Sequence, residues 1–306
     1  MQLVRQNEKN RARRSRAVLA VLLVAALGSA CAAEPPRPAA GANAARGKAK
    51  RPGPAGALSA YVEKVKRTQA ERAAAAKKWG LANTPLAAPQ PPATKPEITT
   101  RKGFEVEDGE SLPPVFTTVP VKEKIVFLTI DDGSEKDPAL LQMMSELQIP
   151  YSAFLSDYVI NDNYGYFEQM QDRGVSLHNH TLNHRYMPGL SYAEQEHEIC
   201  DQQTKLEERY GKRPRLFRPP YGNYNKKTLR AAQSCGVKAV PLWAAEAFPD
   251  HMEWREWDQD LHPGDIILTH FRGSDDWEGT MPDMIRRVMK TVTDRGYAVA
   301  KLEDYV

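Results

Sequence analysis

The stretch Lys124-Ile-Val-Phe-Leu-Thr-Ile-Asp-Asp-Gly133 decides the fold. Residues 125–130 are apolar or β-branched throughout, which predicts a strand buried on both faces. A strand of that kind belongs to a parallel sheet covered by helices. The run then breaks into two carboxylates, Asp131 and Asp132, followed by Gly133, where the chain can turn away without a Cβ. In parallel α/β folds chemistry gathers at the carboxyl ends of the strands, and the two aspartates stand at such an end. Read alone, they serve equally well as caps of the next helix, which Asp137-Pro138 would open.

Beyond this stretch strands and helices alternate. Further strands are predicted at 151–155, 175–178, 215–218, 237–243, 265–270 and 297–301, with helices over 138–147, 164–173, 192–210, 226–234 and 281–295. Gly174, Gly211, Gly236 and Gly296 each stand just past a helix, where a C-terminal cap belongs. The alternation predicts a parallel α/β architecture, and it fits an open sheet as well as a barrel.

A net charge of +3 over 306 residues argues against a nucleic-acid partner. Positive charge is concentrated at the front, in Arg5, Lys9, Arg11, Arg13, Arg14 and Arg16, before an apolar stretch at 17–27 and the small residues Gly28-Ser29-Ala30-Cys31. Residues 1–31 therefore read as an export signal whose apolar part is too short for an ordinary membrane span. Cys31 is placed as in a bacterial lipoprotein, although Gly28 stands where that pattern has leucine, so ordinary cleavage stays open. The expected location is outside the cytoplasm, either secreted or anchored to the outer face of the cell membrane. Membrane contact is expected only through the signal or a lipid anchor.

Residues 32–118 read as a low-complexity linker rich in Ala, Pro and Lys and, up to about residue 96, too poor in large apolar groups to offset its chain entropy. A lone helix is expected over 58–81, with Tyr61, Val62 and Val65 on one side, and then an extended proline-rich spacer over 85–96. The catalytic domain is expected over 119–306. Within it, Cys200 and Cys235 are either a disulfide, if their helices are neighbours, or two small buried hydrophobes.

Three later strand ends carry chemistry. The third strand runs into His178-Asn-His180-Thr-Leu-Asn-His184, where the spacing of His180 and His184 puts both imidazoles on one face of a helical turn. Two imidazoles and one carboxylate suit zinc or a similar ion and leave a position open for water. His178 is the bystander of the three. The fourth strand ends in Arg218-Pro-Pro-Tyr-Gly222, a stiffened turn that can fix an arginine beside a carboxylate and aim a backbone N–H into a site. The sixth ends in Leu268-Thr-His270.

Together these motifs, in this order, resemble the polysaccharide deacetylase family, which includes chitooligosaccharide and peptidoglycan deacetylases, over residues 119–306. The resemblance implies a distorted seven-stranded (β/α) barrel and a metal-dependent hydrolase that removes acetyl groups from N-acetylated sugars. It implies Asp132, His180 and His184 as metal ligands, Asp131 as general base, Arg218 as its ion-pair partner and His270 as general acid. The Tyr221 N–H would face the oxyanion and Trp243 the substrate. The implied cofactor is a divalent metal, zinc first, with cobalt or another first-row ion possible, and the implied partner is an acetylated glycan met by a monomer.

The chain departs from that pattern at Ile130 and Ser134, and more seriously after Trp243. There Glu246 and Asp250 fit only approximately the acidic position that tunes the histidine acid in the family. Tuning of His270 and one wall of the substrate groove are left open. Trp254, Trp257 and Trp277 are either sugar-stacking platforms or core residues. Two other readings compete: an acetylxylan esterase or small-amide hydrolase of the same fold, and a non-catalytic glycan-binding protein with a relic site.

Overall fold

The structure, a computed structural model, describes residues 54–306. The export signal read over 1–31, with Cys31, and the first part of the linker lie outside the described residues. In chain order the elements begin with α1 (Pro54–Lys78), β1 (Val115–Phe116), β2 (Ile125–Asp132), α2 (Pro138–Leu147) and β3 (Ser152–Leu155). There follow α3 (Asp157–Ile160), α4 (Tyr164–Asp172), β4 (Ser176–Asn179), α5 (Tyr192–Tyr210), α6 (Lys226–Ser234) and β5 (Val240–Pro241). The last are β6 (Ala245–Ala247), β7 (Met252–Trp254), β8 (Ile266–His270), α7 (Met281–Asp294) and β9 (Ala298–Ala300).

Strand β2 is buried along its whole length and is the hub of the fold. It pairs in parallel with β3, with β8 and, at its start, with β9. Val126, Leu128 and Ile130 belong to an outer core shared with Leu140, Met144, Ile285 and Val288 of α2 and α7. Residues of opposite parity, Ile125 and Phe127, face an inner core with Phe116, Phe154, Leu216 and Ile266. A strand alternates faces at every residue, so Thr129 and Asp131 continue the inner row. That parity is why Asp131 ends up inside the barrel.

β4 flanks β3, and β6 flanks β8. The short parallel pair β1–β5 stands apart as a second sheet. Single bridges link Asn179 to Phe217, Leu216 to Ala239 and Thr118 to Asp265, carrying the ring from β4 through β5 and β1 back to β8. The result is the distorted barrel that the family resemblance implies, which the strand pattern alone leaves open against an open sheet. Its weakest staves are the fourth and fifth. Over 215–218 only bridges form, and the fifth shrinks to Val240–Pro241, because Pro214, Pro219, Pro220 and Pro241 supply no amide for a ladder.

The helices begin where the sequence signals them. Asp137, not Asp131 or Asp132, caps α2 by accepting from the Ala139 N–H at 2.8 Å. The two earlier aspartates are thereby free of any capping role. Capping boxes at Ser191, Asn225 and Thr280 open α5, α6 and α7. α5 and α6 are neighbours, and Cys200 on the first is disulfide-bonded to Cys235 at the end of the second.

From residue 58 onward the linker expectation is corrected. The helix is present, but it is docked. Ala75 and Ala76 enter the outer core, Arg72 Nε donates to the Leu147 carbonyl at 2.9 Å, and Trp79 Nε1 donates to Glu146 at 2.7 Å. The proline-rich run does not stand off as a spacer either. Leu86 bridges to Ala298, while Ala88 and Ile98 pack on the inner core. Composition misleads here because the segment needs no core of its own: its alanines and few large residues fill surfaces that the barrel already presents. Only the first turns of α1 match the lone helix, with Tyr61, Val62 and Val65 exposed.

Candidate active site

At the carboxyl end of β2 the backbone of Asp132 is left-handed, with φ 77°. Gly133 follows at φ 102°, and a Cβ there would come within 2.4 Å of Ile160 Cγ2. A tight, glycine-dependent turn thus fixes the Asp132 carboxylate at the barrel mouth.

His180 and His184 come to it from beyond β4, though not on a helical turn. Thr181 and His184 both have positive φ, and the loop is tied by side chains instead of helical hydrogen bonds. The Thr181 N–H donates to Asn179 Oδ1 at 2.8 Å, and the His184 N–H donates to Thr181 Oγ1 at 3.0 Å. Glu198 on α5 accepts from both the backbone and the side chain of Asn183. The i,i+4 spacing therefore converges by a different geometry from the one expected.

One ligand atom from each of Asp132, His180 and His184 lies within 4.8 Å of the others. Asp132 Oδ1 stands 3.5 Å from His180 Nε2 and 3.3 Å from His184 Nε2, and it is buried with no hydrogen-bond partner. A buried carboxylate oxygen without a partner is costly unless a cation meets it. His180 Nδ1 lies 2.7 Å from the Arg218 carbonyl, which accepts only an N–H, so the lone pair is left on Nε2, facing Asp132. Burial pushes the His184 pKa down to about 4, which keeps its imidazole neutral, the metal-binding form. Burial works to raise the Asp132 pKa, but the imidazoles of His180, His270 and His184 around it hold it below the usual carboxylate range. These residues fit a divalent ion of the kind bound by imidazole and carboxylate.

Asp131, on the inner face, is 2 % exposed. Arg218, fully buried, donates from Nη1 to Asp131 Oδ1 at 2.7 Å and to Thr129 Oγ1 at 3.0 Å, and from Nε to the Pro241 carbonyl at 2.8 Å. Its guanidinium also lies over the Phe154 ring. The turn after it carries Tyr221 in a left-handed conformation, its ring edge against His184. Gly222 follows at φ 68°, and a Cβ there would be 2.9 Å from the Trp243 ring. Asp131, Asp132, His180, His184, Tyr221, Trp243 and His270 all line one hollow of about 330 Å³.

The stretch after Trp243 forms the β6–β7 hairpin, an element missing from the strand pattern because each arm has only three residues. The hairpin sends its two acidic side chains to different places. Glu246 points into the hollow with Oε1 3.3 Å from His270 Nδ1, whereas Asp250 is exposed and pairs with His251. Burial, then the charges of Glu253 opposite it and of Asp131, push the Glu246 pKa up to about 7. Burial also lowers the pKa of His270, against the pull of Asp132 and Asp131.

Arg272 escaped sequence reasoning. Its Nη2 donates to Asp132 Oδ2 at 3.0 Å, so one carboxylate oxygen is held and the other is left for a ligand. The only sequence signal is its place two residues beyond His270. His178 stays out of the site: Nε2 meets Glu303 Oε1 at 2.7 Å, and Ser152 donates to the same oxygen. Of the tryptophans, Trp277 lines the hollow and Trp254 packs on the outer core, while Trp257 is in neither place.

Residues 118–240 match the family model described as polysaccharide deacetylase. A peptidoglycan-N-acetylglucosamine deacetylase of Bacillus cereus is 30% identical over 171 residues, covering 51% of this chain and 77% of that protein. The chain belongs to the polysaccharide deacetylase family. It is thus a hydrolase of the polysaccharide deacetylase type. An uncharacterised protein of Streptomyces coelicolor is more similar, 40% identical over 203 residues, which is 66% of this chain and 81% of the relative. The fold of the family is shared as well: a family 4 carbohydrate esterase from Bacillus anthracis superposes with a TM-score of 0.52 at 23% identity, covering 62% of this chain and 86% of the other.

Proposed function

We propose that this chain is an exported, metal-dependent deacetylase that removes N-acetyl groups from an N-acetylglucosamine-containing glycan, peptidoglycan or chitin-like. The observation that carries the reading is the partnerless Asp132 Oδ1 facing the Nε2 atoms of two histidines, with a buried Asp131–Arg218 pair beside it. Zinc, or another first-row ion, held by Asp132, His180 and His184 would supply Lewis acidity to a water and to the acetyl carbonyl.

The chain's own residues do the rest. Asp131 takes the proton of the attacking water, and Arg218 fixes the base on the barrel's inner face. The Tyr221 N–H meets the developing oxyanion from the rigid Pro-Pro turn. His270 gives a proton from Nε2 to the departing amine nitrogen, while its Nδ1 faces Glu246. Trp243 forms the wall that the sugar lies against. The amide bond breaks, acetate leaves, and the amino group stays on the sugar. Residues 1–31 direct export, and the glycan is met outside the cytoplasm by a monomer.

Acetate release from N-acetylglucosamine oligomers, peptidoglycan and acetylxylan, with zinc or cobalt added and a His180→Ala control, tests this. Release from an N-acetylated glycan that vanishes in the control is expected. Release from acetylxylan alone would move the chain to the esterases. Metal bound stoichiometrically without release from any substrate would point to a glycan-binding protein with a relic site.

A further inference from the structure

Trp257, in the loop from β7 to β8, is 92 % exposed. Exposing a whole indole forgoes a large hydrophobic gain, and the four other tryptophans all pack on core residues. Trp257 lines a hollow of about 500 Å³ that shares no residue with the active-site hollow. Asp265 of that hollow immediately precedes β8, whereas His270 ends it. At roughly 3.3 Å per residue the two sites are about 17 Å apart along the strand, at opposite ends of the barrel.

The wall beside the indole is polar and already braced. Arg101 Nη1 donates to Thr117 Oγ1 at 2.6 Å, and the same guanidinium pairs with Glu256. His262 Nε2 lies 3.1 Å from Asp258 Oδ2 and its Nδ1 3.4 Å from Asp265 Oδ2, while Thr118 donates to the other oxygen of Asp265 at 2.8 Å. Carboxylates outnumber the guanidinium, which disfavours a phosphate or other anion. Carboxylate, guanidinium and hydroxyl groups held in fixed positions suit a ligand whose own groups both donate and accept. A flat apolar face beside them suits a ring with C–H groups on one side.

We infer that Trp257 and this hollow form a second, non-catalytic glycan site, in which an uncharged sugar ring stacks on the indole while Asp258, His262 and Arg101 meet its hydroxyls. Resting on the glycan reading above, it would hold the polymer against the face of the barrel opposite the active site, so that other stretches stay near the metal centre.

The test is co-sedimentation of the full chain with insoluble peptidoglycan and with chitin, for the parent, Trp257→Ala, Trp257→Phe and His180→Ala. Acetate release from a soluble N-acetylglucosamine tetramer is measured in parallel. Trp257→Ala is expected to bind polymer about tenfold more weakly, the order of one aromatic stacking contact, with the tetramer rate within about twofold of the parent. Trp257→Phe should keep most of the binding, and His180→Ala should bind as the parent does. Equal sedimentation of parent and Trp257→Ala would overturn the inference, as would a parent that sediments with neither polymer. A silent tetramer assay with tryptophan-dependent sedimentation would count against deacetylation alone.

Discussion

Replacing Arg218 by methionine keeps an apolar stem of similar length and deletes the guanidinium. Asp131 would then be buried at 2 % exposure without its counter-charge, and the Pro241 carbonyl would lose the Nε donor now at 2.8 Å. Breaking a buried ion pair from one side costs about 3–5 kcal/mol. In a domain of this size each kcal/mol lowers the melting temperature by roughly 2–4 °C, which gives a fall of about 6–20 °C. Thermal unfolding of chelated protein by circular dichroism reads this without interference from metal. Asp131→Leu combined with Arg218→Met removes both charges, and it should recover much of the loss, with a coupling energy of about 2 kcal/mol. A single variant melting within about 2 °C of the parent would show that Arg218 does not offset the buried Asp131 charge. So would a double variant whose loss equals the sum of the two singles.

Glu246→Gln should lower kcat about tenfold, part of what a positioned general acid contributes, with little change in KM. Without a carboxylate beside His270 its imidazolium is less stabilised, so the basic limb of the kcat–pH profile should move to lower pH. A profile that stays in place would remove Glu246 from the acid step. Replacing Cys200 and Cys235 by serine opens a cross-link between residues 35 apart and should cost about 3–4 kcal/mol in urea unfolding. Loss of less than about 1 kcal/mol would mean that α5 and α6 hold together without it. Burial works to raise the Glu303 pKa, but the hydrogen bond and charge of His178 and the Ser152 hydroxyl outweigh it and hold it below the ordinary value. Its contribution to stability is therefore complete above the ordinary glutamate pKa and is lost as pH falls through the lower folded one. Glu303→Gln should flatten the fall of melting temperature below about pH 4.5, and parallel curves would contradict this.

Much of the site was legible because its residues sit at strand ends. An apolar run ending in Asp131-Asp132, and later runs ending in histidine and arginine, place side chains at one barrel mouth whatever the details of the loops. Legibility failed where local pattern and tertiary context diverge. His180 and His184 are spaced as on a helix, yet they converge through the left-handed backbone of Thr181 and His184 and the hydrogen bonds of Asn179 and Glu198. Glu246 was only an approximate match until the β6–β7 hairpin set it against His270. Three-residue arms leave no readable alternation. Arg272 had no motif to mark it, since its role depends on Asp132 lying across the barrel mouth from it. The docked half of α1 was hidden for the opposite reason, its alanines resembling a disordered linker until a surface is there to receive them.

In the proposed function the two adjacent aspartates differ in role, Asp132 as ligand and Asp131 as base. Metal content and acetate release, measured on the same preparations of Asp132→Ala and Asp131→Asn, separate these roles. Asp132→Ala is expected to lose metal and turnover together, and Asp131→Asn to keep stoichiometric metal while its turnover falls by about a hundredfold or more. Turnover at the parent rate in metal-loaded Asp131→Asn, or full metal retention by Asp132→Ala, would contradict the assignment.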